Sequence, residues 1–190
     1  KEFWKQLYFG GLSEFFYING IETDKDSFMT IECDEAEDDI APICYKTAGI
    51  NLIPVGGGKD SAVTAELLKP FGKRNKFFTV NDQAARTETV IAAGYGEDDI
   101  IKTYRAIDKN LLELNKKGFL NGHTPFSAIV AFLSLYCAYL IGGEYIVLSN
   151  ESSANSGNIE GREVNHQYSK SYRFENDFIE YVGENLLSGI

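Results

Sequence analysis

Apolar residues recur along this chain at two different periods. From Lys1 to about Tyr17 they fall at Phe3, Trp4, Leu7, Tyr8, Leu12, Phe15 and Phe16, the spacing of an amphipathic helix, which Gly10 and Gly11 weaken. Asn19-Gly20, between apolar flanks, then predicts a hairpin turn. From Ala48 onward short apolar runs alternate with helical patterns, as expected of a parallel sheet covered by helices. The expected strands are INLIPV, KFFTV, DIIKTYRAI and EYIVL. The expected helices run from about Asp60 to Lys69, where Pro70 stops them, from a cap at Asn81 or Asp82 to Gly94, from Asp108 to Gly118, and onward from Thr124-Pro125. A last helix, with Phe174, Phe178, Ile179 and Val182 on one face, reaches about Leu187. This pattern predicts an α/β fold with a doubly wound, mostly parallel sheet over residues 48–190, behind a helix-and-hairpin appendage over residues 1–47.

The stretch Pro125 to Ile141 carries no charge, yet it is short for a membrane span and leads through Gly142-Gly143 into an apolar strand. A helix buried against the sheet is the expectation, and no membrane is expected as a partner. Between Ser149 and about Tyr168 lies a polar stretch of roughly 20 residues, a length that points to a functional or disordered loop.

Composition narrows the chemistry. Eighteen basic against 28 acidic side chains give a formal charge of −10, with no basic footprint for nucleic acid in the totals. The acidic run Asp34, Glu35, Glu37, Asp38 and Asp39 reads as a solvated loop. Cys33, Cys44 and Cys137 are widely spaced and form no C-x-x-C, which argues against a disulfide framework or a cysteine zinc site and suits a reducing cytoplasm. The chain opens at Lys1 and its one methionine is Met29, so it is expected to be a piece of something longer.

The first expected strand ends in Gly56-Gly57-Gly58-Lys59-Asp60-Ser61. Three glycines are costly to order, so at a strand-to-helix junction they suggest a backbone that must approach something closely, and bare N–H groups at a helix N-terminus suit a phosphate. The Walker loop fails twice, at Ile53 and Asp60. The dinucleotide signature fails at Ser61. What remains resembles the S-G-G-x-D-S loop of the PP-loop ATP pyrophosphatases, with Gly56 where that family usually has serine. The resemblance implies an adenine nucleotide α-hydrolase-like fold, ATP cleaved between its α- and β-phosphates, and Mg²⁺. The residues suit that chemistry. Loop N–H groups and the Ser61 hydroxyl can hold pyrophosphate, Lys59 can offset its charge and Asp60 can help hold the metal. At the carboxyl end of the next strand, Thr79, Val80 and Asn81 are expected to border the adenosine, with strand backbone groups available to adenine.

Read together, NLIPVGGGKDS, FFTVN, LNKKGFLNGHTPFSAIVAFLS, LSNESSAN and VNHQYSKSYRFENDF resemble the UDP-N-acetyl-α-D-muramoyl-L-alanyl-L-glutamate epimerase family, over most of residues 51 to 182. The resemblance implies an ATP- and Mg²⁺-dependent inversion of the terminal L-glutamate of a UDP-linked muramoyl dipeptide, with AMP and pyrophosphate released. Two other readings stay open: an amide-forming synthetase of the same class, and a nucleotide-binding module without turnover.

Inversion needs acid and base groups that serve both faces of Cα. His123 and His166 lie in polar connections of the matched blocks. Glu151 follows the fourth strand at the ligand edge, as a base or a second Mg²⁺ ligand. Lys170 and Arg173 stand at or near the start of the last helix, where positive charge is unfavourable unless an anion joins it. Both are candidates for phosphate or substrate carboxylate, and Lys170 is a catalytic candidate as well. Arg105, at the end of the third strand, and Tyr168 are further substrate-binding candidates.

Overall fold

A computed structural model describes residues 1–33, 41–157 and 164–188. The acidic run from Asp34 to Asp39 and part of the long polar stretch lie outside the described residues. In chain order the main elements are α1 (Glu2–Gly11), α2 (Ser13–Ile18), β1 (Ile50–Pro54), α3 (Lys59–Leu67), β2 (Asn75–Val80), α4 (Ala84–Ala92), β3 (Ile100–Thr103), α5 (Lys109–Lys116), α6 (Phe126–Ile141), β4 (Gly143–Ile146) and α7 (Tyr172–Asn185). The chain divides into two compact units, one formed by Tyr45–Ala106 with Ile129–Glu151, the other by Lys1–Cys44, Ile107–Ala128 and Ser152–Ile190.

The first of these is the α/β unit. Its four strands are all parallel, in the order β3-β2-β1-β4. Alternation along the strands turns Ile53, Val55 and Phe77 to one face, where they bury against Ala65 of α3 and Val90 of α4. Leu52, Phe78 and Val80 turn to the other face and pack on Cys137 and Ala138 of α6. Burial of a side chain such as Phe77, fully enclosed here, contributes about 1.5–3 kcal/mol. Both faces being apolar explains why the strands read as continuous hydrophobic runs. At the opposite end of the strands, Asn75 is fully buried and satisfied: it accepts from Asn51 at 2.8 Å and donates to the Leu68 carbonyl at 2.6 Å and to the Tyr95 hydroxyl at 2.8 Å.

From β1 the chain passes to β2 and β3 on one side, whereas β4 lies on the other. The order therefore reverses between β1 and β4, and in open α/β sheets ligands bind outside the carboxyl ends at that switch point. Here those ends are the glycine loop after β1 and the segment from Val147 to Glu151 after β4.

In the other unit, Leu7 of α1, Tyr168, Phe174 and Val182 of α7, and Leu187 are buried, with α1 packed on α7 and on the Tyr168–Lys170 turn. The Phe3 and Tyr181 rings stack at 4.3 Å, and the Trp4 indole donates to the Tyr181 hydroxyl at 3.2 Å. Residues Ile43–Cys44 pair in parallel with Leu187–Ser188. Gly10 and Gly11 are sites of close packing. A Cβ at Gly10 would lie 2.8 Å from the Tyr168 ring, and one at Gly11 2.6 Å from Pro125.

Several local expectations are corrected. The predicted N-terminal helix is two helices joined at Leu12, and Asn19-Gly20 ends the second of them instead of turning a hairpin; no strand flanks it. The Asn19 amide donates to the Phe15 carbonyl at 2.8 Å, so the pair caps a helix. Neither Asn81 nor Asp82 caps α4, whose N-cap is Gln83. Ile179 is exposed, unlike Phe174 and Val182. Only one face of α6 is buried, with Tyr136 and Leu140 left open. Among the described residues no helix is long and apolar enough to cross a membrane.

Candidate functional site

The three glycines have different reasons to be there. Gly57 has φ +82°, and a Cβ would sit 3.1 Å from the Ala85 backbone and 3.2 Å from the Arg86 nitrogen. Its side chain is excluded by the protein itself. Gly56 and Gly58 have no positive φ, and a Cβ there would meet nothing closer than the Ser61 hydroxyl, 3.9 Å from Gly56. Both are exposed. The protein's own packing therefore leaves these two positions bare, and the space suits a bulky anion at the N-terminus of α3, where Gly58 is the N-cap and supplies no side-chain cap. Ser61 is buried, and its hydroxyl accepts from the Gly56 N–H and donates to the Gly58 carbonyl, each at 3.3 Å. It ties the two ends of the loop together.

Charge gathers at the same edge. Lys59 Nζ lies 3.2 Å from Asp60 and 3.6 Å from Glu151. The hydrogen bond to Asp60, then the charges of Asp60 and Glu151, hold the Lys59 ammonium above its ordinary pKa. A second contact, 2.8 Å between the Thr64 and Ser149 hydroxyls, fastens the segment after β4 to α3. Glu151 thus reaches the glycine loop from far along the chain. Asp60 and Glu151 fit what Mg²⁺ usually takes from a protein beside nucleotide phosphates, one or two carboxylates with water and phosphate oxygens completing the shell. Among the described residues no cluster of three or more His, Cys, Asp or Glu side chains forms a metal cage.

The carboxyl end of β2 is more occupied than its sequence implies. The Thr79 carbonyl accepts from Thr103 at 3.0 Å, and the Asn81 N–H donates to the Thr103 carbonyl at 2.7 Å. Arg86 of α4 donates to the carbonyls of both Val80 and Asn81. Backbone groups expected to be available to adenine therefore already carry a bond. Asn81 adopts φ 59°, rare for a residue with a side chain, and its Oδ1 accepts from the Arg105 N–H at 2.7 Å. Thr79 is buried, and among the described residues neither its Oγ1 nor the buried Nε of Arg86 has a partner. Sequence reasoning missed Arg86, although the signal was present: a cation in the first turn of a helix is unfavourable without a reason.

The remaining candidates fall in the other unit. His123 and His166, far apart in sequence, come together with ring centroids 5.8 Å apart and planes at 88°. His166 Nε2 also contacts the Gln167 amide at 3.3 Å. Asparagine side chains bond backbone groups on the His166 side: Asn165 donates to the Ala154 carbonyl at 2.8 Å, and Asn155 accepts from the Tyr172 N–H at 2.7 Å. Tyr168 is buried on Gly10 and Phe174, and burial pushes its phenol above the ordinary value. Lys170 is exposed and precedes Ser171, which caps α7 by accepting from the Phe174 N–H at 3.2 Å. Arg173 is bonded to Gln6 at 3.0 Å. The candidates thus form one group in each unit: Gly56 to Ser61, Thr79, Asn81, Arg105 and Glu151 in the sheet unit, His123, His166, Tyr168, Lys170 and Arg173 in the other.

Comparison with known proteins gives these groups a family. Residues 1–190 match the model of the MurL N-terminal domain. The chain belongs to that family. It is 31% identical over 188 residues, 98% of its own length, to the UDP-N-acetyl-alpha-D-muramoyl-L-alanyl-L-glutamate epimerase of Xanthomonas oryzae pv. oryzae. It is 33% identical over 173 residues, 89% of its length, to the protein of the same name from Salinispora tropica. The chain spans only 40% and 36% of these two MurL relatives, respectively. No solved structure matches it.

Proposed function

We propose that this chain is the nucleotide-handling part of an ATP-dependent epimerase. It inverts the terminal L-glutamate of UDP-MurNAc-L-Ala-L-Glu to D-glutamate in peptidoglycan precursor synthesis, releasing AMP and pyrophosphate. The observation that carries the reading is the family match along the whole chain, to relatives that bear this epimerase name. The glycine loop at the switch point of a parallel sheet supports a PP-loop role within it. A reducing cytoplasm suits the free thiols of Cys33, Cys44 and Cys137.

The chemistry gives ATP a purpose. Removing the Cα proton beside a carboxylate would add a second negative charge next to the first. Attack of that carboxylate on the α-phosphate of ATP, with pyrophosphate leaving, gives a neutral acyl-adenylate mixed anhydride, so the enolate becomes accessible, and a proton returned to the other face gives the inverted centre; hydrolysis of the anhydride then frees the product and AMP. In this reading the amides around Gly56 and Gly58 receive the departing pyrophosphate, Lys59 balances its charge, and Asp60 with Glu151 would hold Mg²⁺, which screens the phosphates when bound. Thr79 and Asn81 border the adenosine. Arg105, Tyr168 and Arg173 orient the substrate.

His123 and His166 stand with ring centroids 5.8 Å apart, and in this reading they serve one face of the substrate as a pair. Within the same unit, Lys170 is the candidate for the opposite face, and Glu151 keeps its place beside the glycine loop. The test is turnover in heavy water with Mg-ATP and the muramoyl dipeptide, using full-length enzyme. Deuterium at the glutamate Cα together with AMP and pyrophosphate is expected. Consumption of ATP to ADP, or an amide product formed only when an amine is supplied, would overturn the proposal.

A further inference from the structure

Both histidine connections are attached to one short piece of chain, residues 10–19, and each attachment lies beside a histidine in sequence. On the His166 side, the Ser13 hydroxyl accepts from the Asn165 N–H at 3.1 Å and donates to the Asn165 carbonyl at 3.4 Å. Asn165 in turn folds the backbone over His166, its Oδ1 accepting from the Gln167 N–H at 2.8 Å. Two residues past His166, the Tyr168 ring fills the notch at Gly10. On the His123 side, the Asn19 amide donates to the Asn121 carbonyl at 3.1 Å. Gly122 closes on Phe15, where an added Cβ would come within 3.0 Å of the ring and 3.3 Å of the Phe15 Cα. Two residues past His123, Pro125 fills the notch at Gly11.

The break at Leu12 lets this one segment serve two connections. Successive residues of a helix point about 100° apart, so Gly10 and Gly11 at the end of α1 open toward different neighbours. Leu12 departs from helical dihedrals, with φ −101° and ψ 6°, and α2 starts afresh. Ser13 at its start meets the His166 connection, while Phe15 and Asn19 meet the His123 connection. The Asn19 amide also donates to the Phe15 carbonyl at 2.8 Å, so one side chain joins the end of α2 to the residues before His123. None of these contacts involves an imidazole or a charged group; they fix the backbone on either side of each ring. Short side chains bonded to backbone do this at a smaller cost in rotamer freedom than long flexible ones.

We propose that residues 10–19 are a bracket that sets the spacing of the His123–His166 pair, with Ser13 and Asn19 as its positioning residues. Ser13 fixes where the chain enters His166, and Asn19 with Phe15 fixes where it enters His123. The 5.8 Å between the ring centroids is thereby tied to the six-residue length of α2. The bracket's consequence for turnover rests on the proton-transfer role proposed for the pair.

The test uses the full-length enzyme with ¹³C-labelled histidine, the two ring signals being assigned through His123→Asn and His166→Asn. A nuclear Overhauser effect between the imidazoles is expected in the unchanged enzyme. It should be lost in Ser13→Ala and in Asn19→Ala and kept in Ser13→Thr, which retains the hydroxyl. Deuterium uptake at the glutamate Cα should fall by about 10–10²-fold in Ser13→Ala, with KM for ATP unchanged. Combined with His166→Asn, the same substitution should cost nothing further, because it acts through that ring. Ring signals and Overhauser effect unchanged in both alanine variants overturn the proposal. So does a Ser13→Ala loss that multiplies in full with that of His166→Asn. If His166→Asn alone leaves deuterium uptake intact, the proton-transfer reading is what fails, and the ring signals decide the bracket by themselves.

Discussion

The glycine loop and the histidine pair are the two chemically suggestive regions of this chain, and they are constructed in opposite ways. Gly56 to Ser61 is local: six consecutive residues, shaped by one left-handed glycine and one buried serine that bonds both ends of the loop. The His123–His166 pair is assembled from two distant polar connections, with Asn165 and Asn155 bonding backbone groups on the His166 side. A short loop can specify an anion site because the donors are main-chain amides, present whatever the side chains are. A proton-transfer pair has to be brought together by folding. The loop is therefore expected to tolerate changes elsewhere better than the pair does.

The largest effect is expected at the pair. His166→Asn should lower deuterium uptake at the glutamate Cα by about 10²–10⁴-fold, leaving ATP binding to the loop unaffected. Isotope incorporation by NMR, alongside nucleotide titration, measures both. If His166→Asn and His123→Asn each left incorporation intact, the pair would be structural and the contrast would fail. Next comes Gly57→Ala. The left-handed backbone there costs a side chain about 1–3 kcal/mol, and the 3.1 Å approach to Ala85 adds to it. Urea unfolding should show the loss.

Gly58→Ala sharpens the comparison inside the loop. Its Cβ meets nothing in the protein, so stability should fall by less than about 1 kcal/mol, whereas ATP affinity should drop by roughly tenfold, or 1.4 kcal/mol. Equal losses of stability at Gly57 and Gly58 would show that the bare positions serve packing alone.

The smallest effect is a difference in pH response between the units. Lys76, hydrogen-bonded to Asp99 with help from the Gly96 N–H, holds the Asp99 carboxyl below its ordinary 3.8. That contribution is complete above pH 3.8 and is lost as the pH falls through the lowered folded value. A partly exposed pair of this kind is worth about 0.2–1 kcal/mol. Burial raises the Tyr168 phenol above its ordinary 10.0. Its contribution is complete below pH 10.0 and is lost as the pH rises through the folded value. Acid should thus loosen the sheet unit first and alkali the histidine unit first, which Asp99→Asn and Tyr168→Phe, followed by amide exchange, would check.

Much of the fold could be read from the sequence because period and punctuation are local signals. Each of the four strands overlaps an expected apolar run, two of them starting one residue earlier, and Asp108 caps α5 by accepting from the Asn110 N–H at 2.7 Å. Errors came where tertiary contacts changed the meaning of a residue. Gly10 and Gly11 looked like helix weakeners and are close-approach positions for Tyr168 and Pro125. Asn81 looked like a helix cap and is a left-handed strand end that receives the Arg105 amide. Arg86 went unnoticed because its partners are the carbonyls of a neighbouring element, which no spacing rule announces.

The sequence by itself determined the strand-and-helix alternation, the anion-suited loop and, through its longer motifs, the family, since each rests on neighbouring residues or on recognisable blocks. Only the tertiary structure decided the strand order, the meeting of Lys59 with Glu151 and the approach of the two histidines. The physical reason is that such pairings are chosen by burial across distant segments, where the apolar area removed from water is shared by residues that share no local pattern.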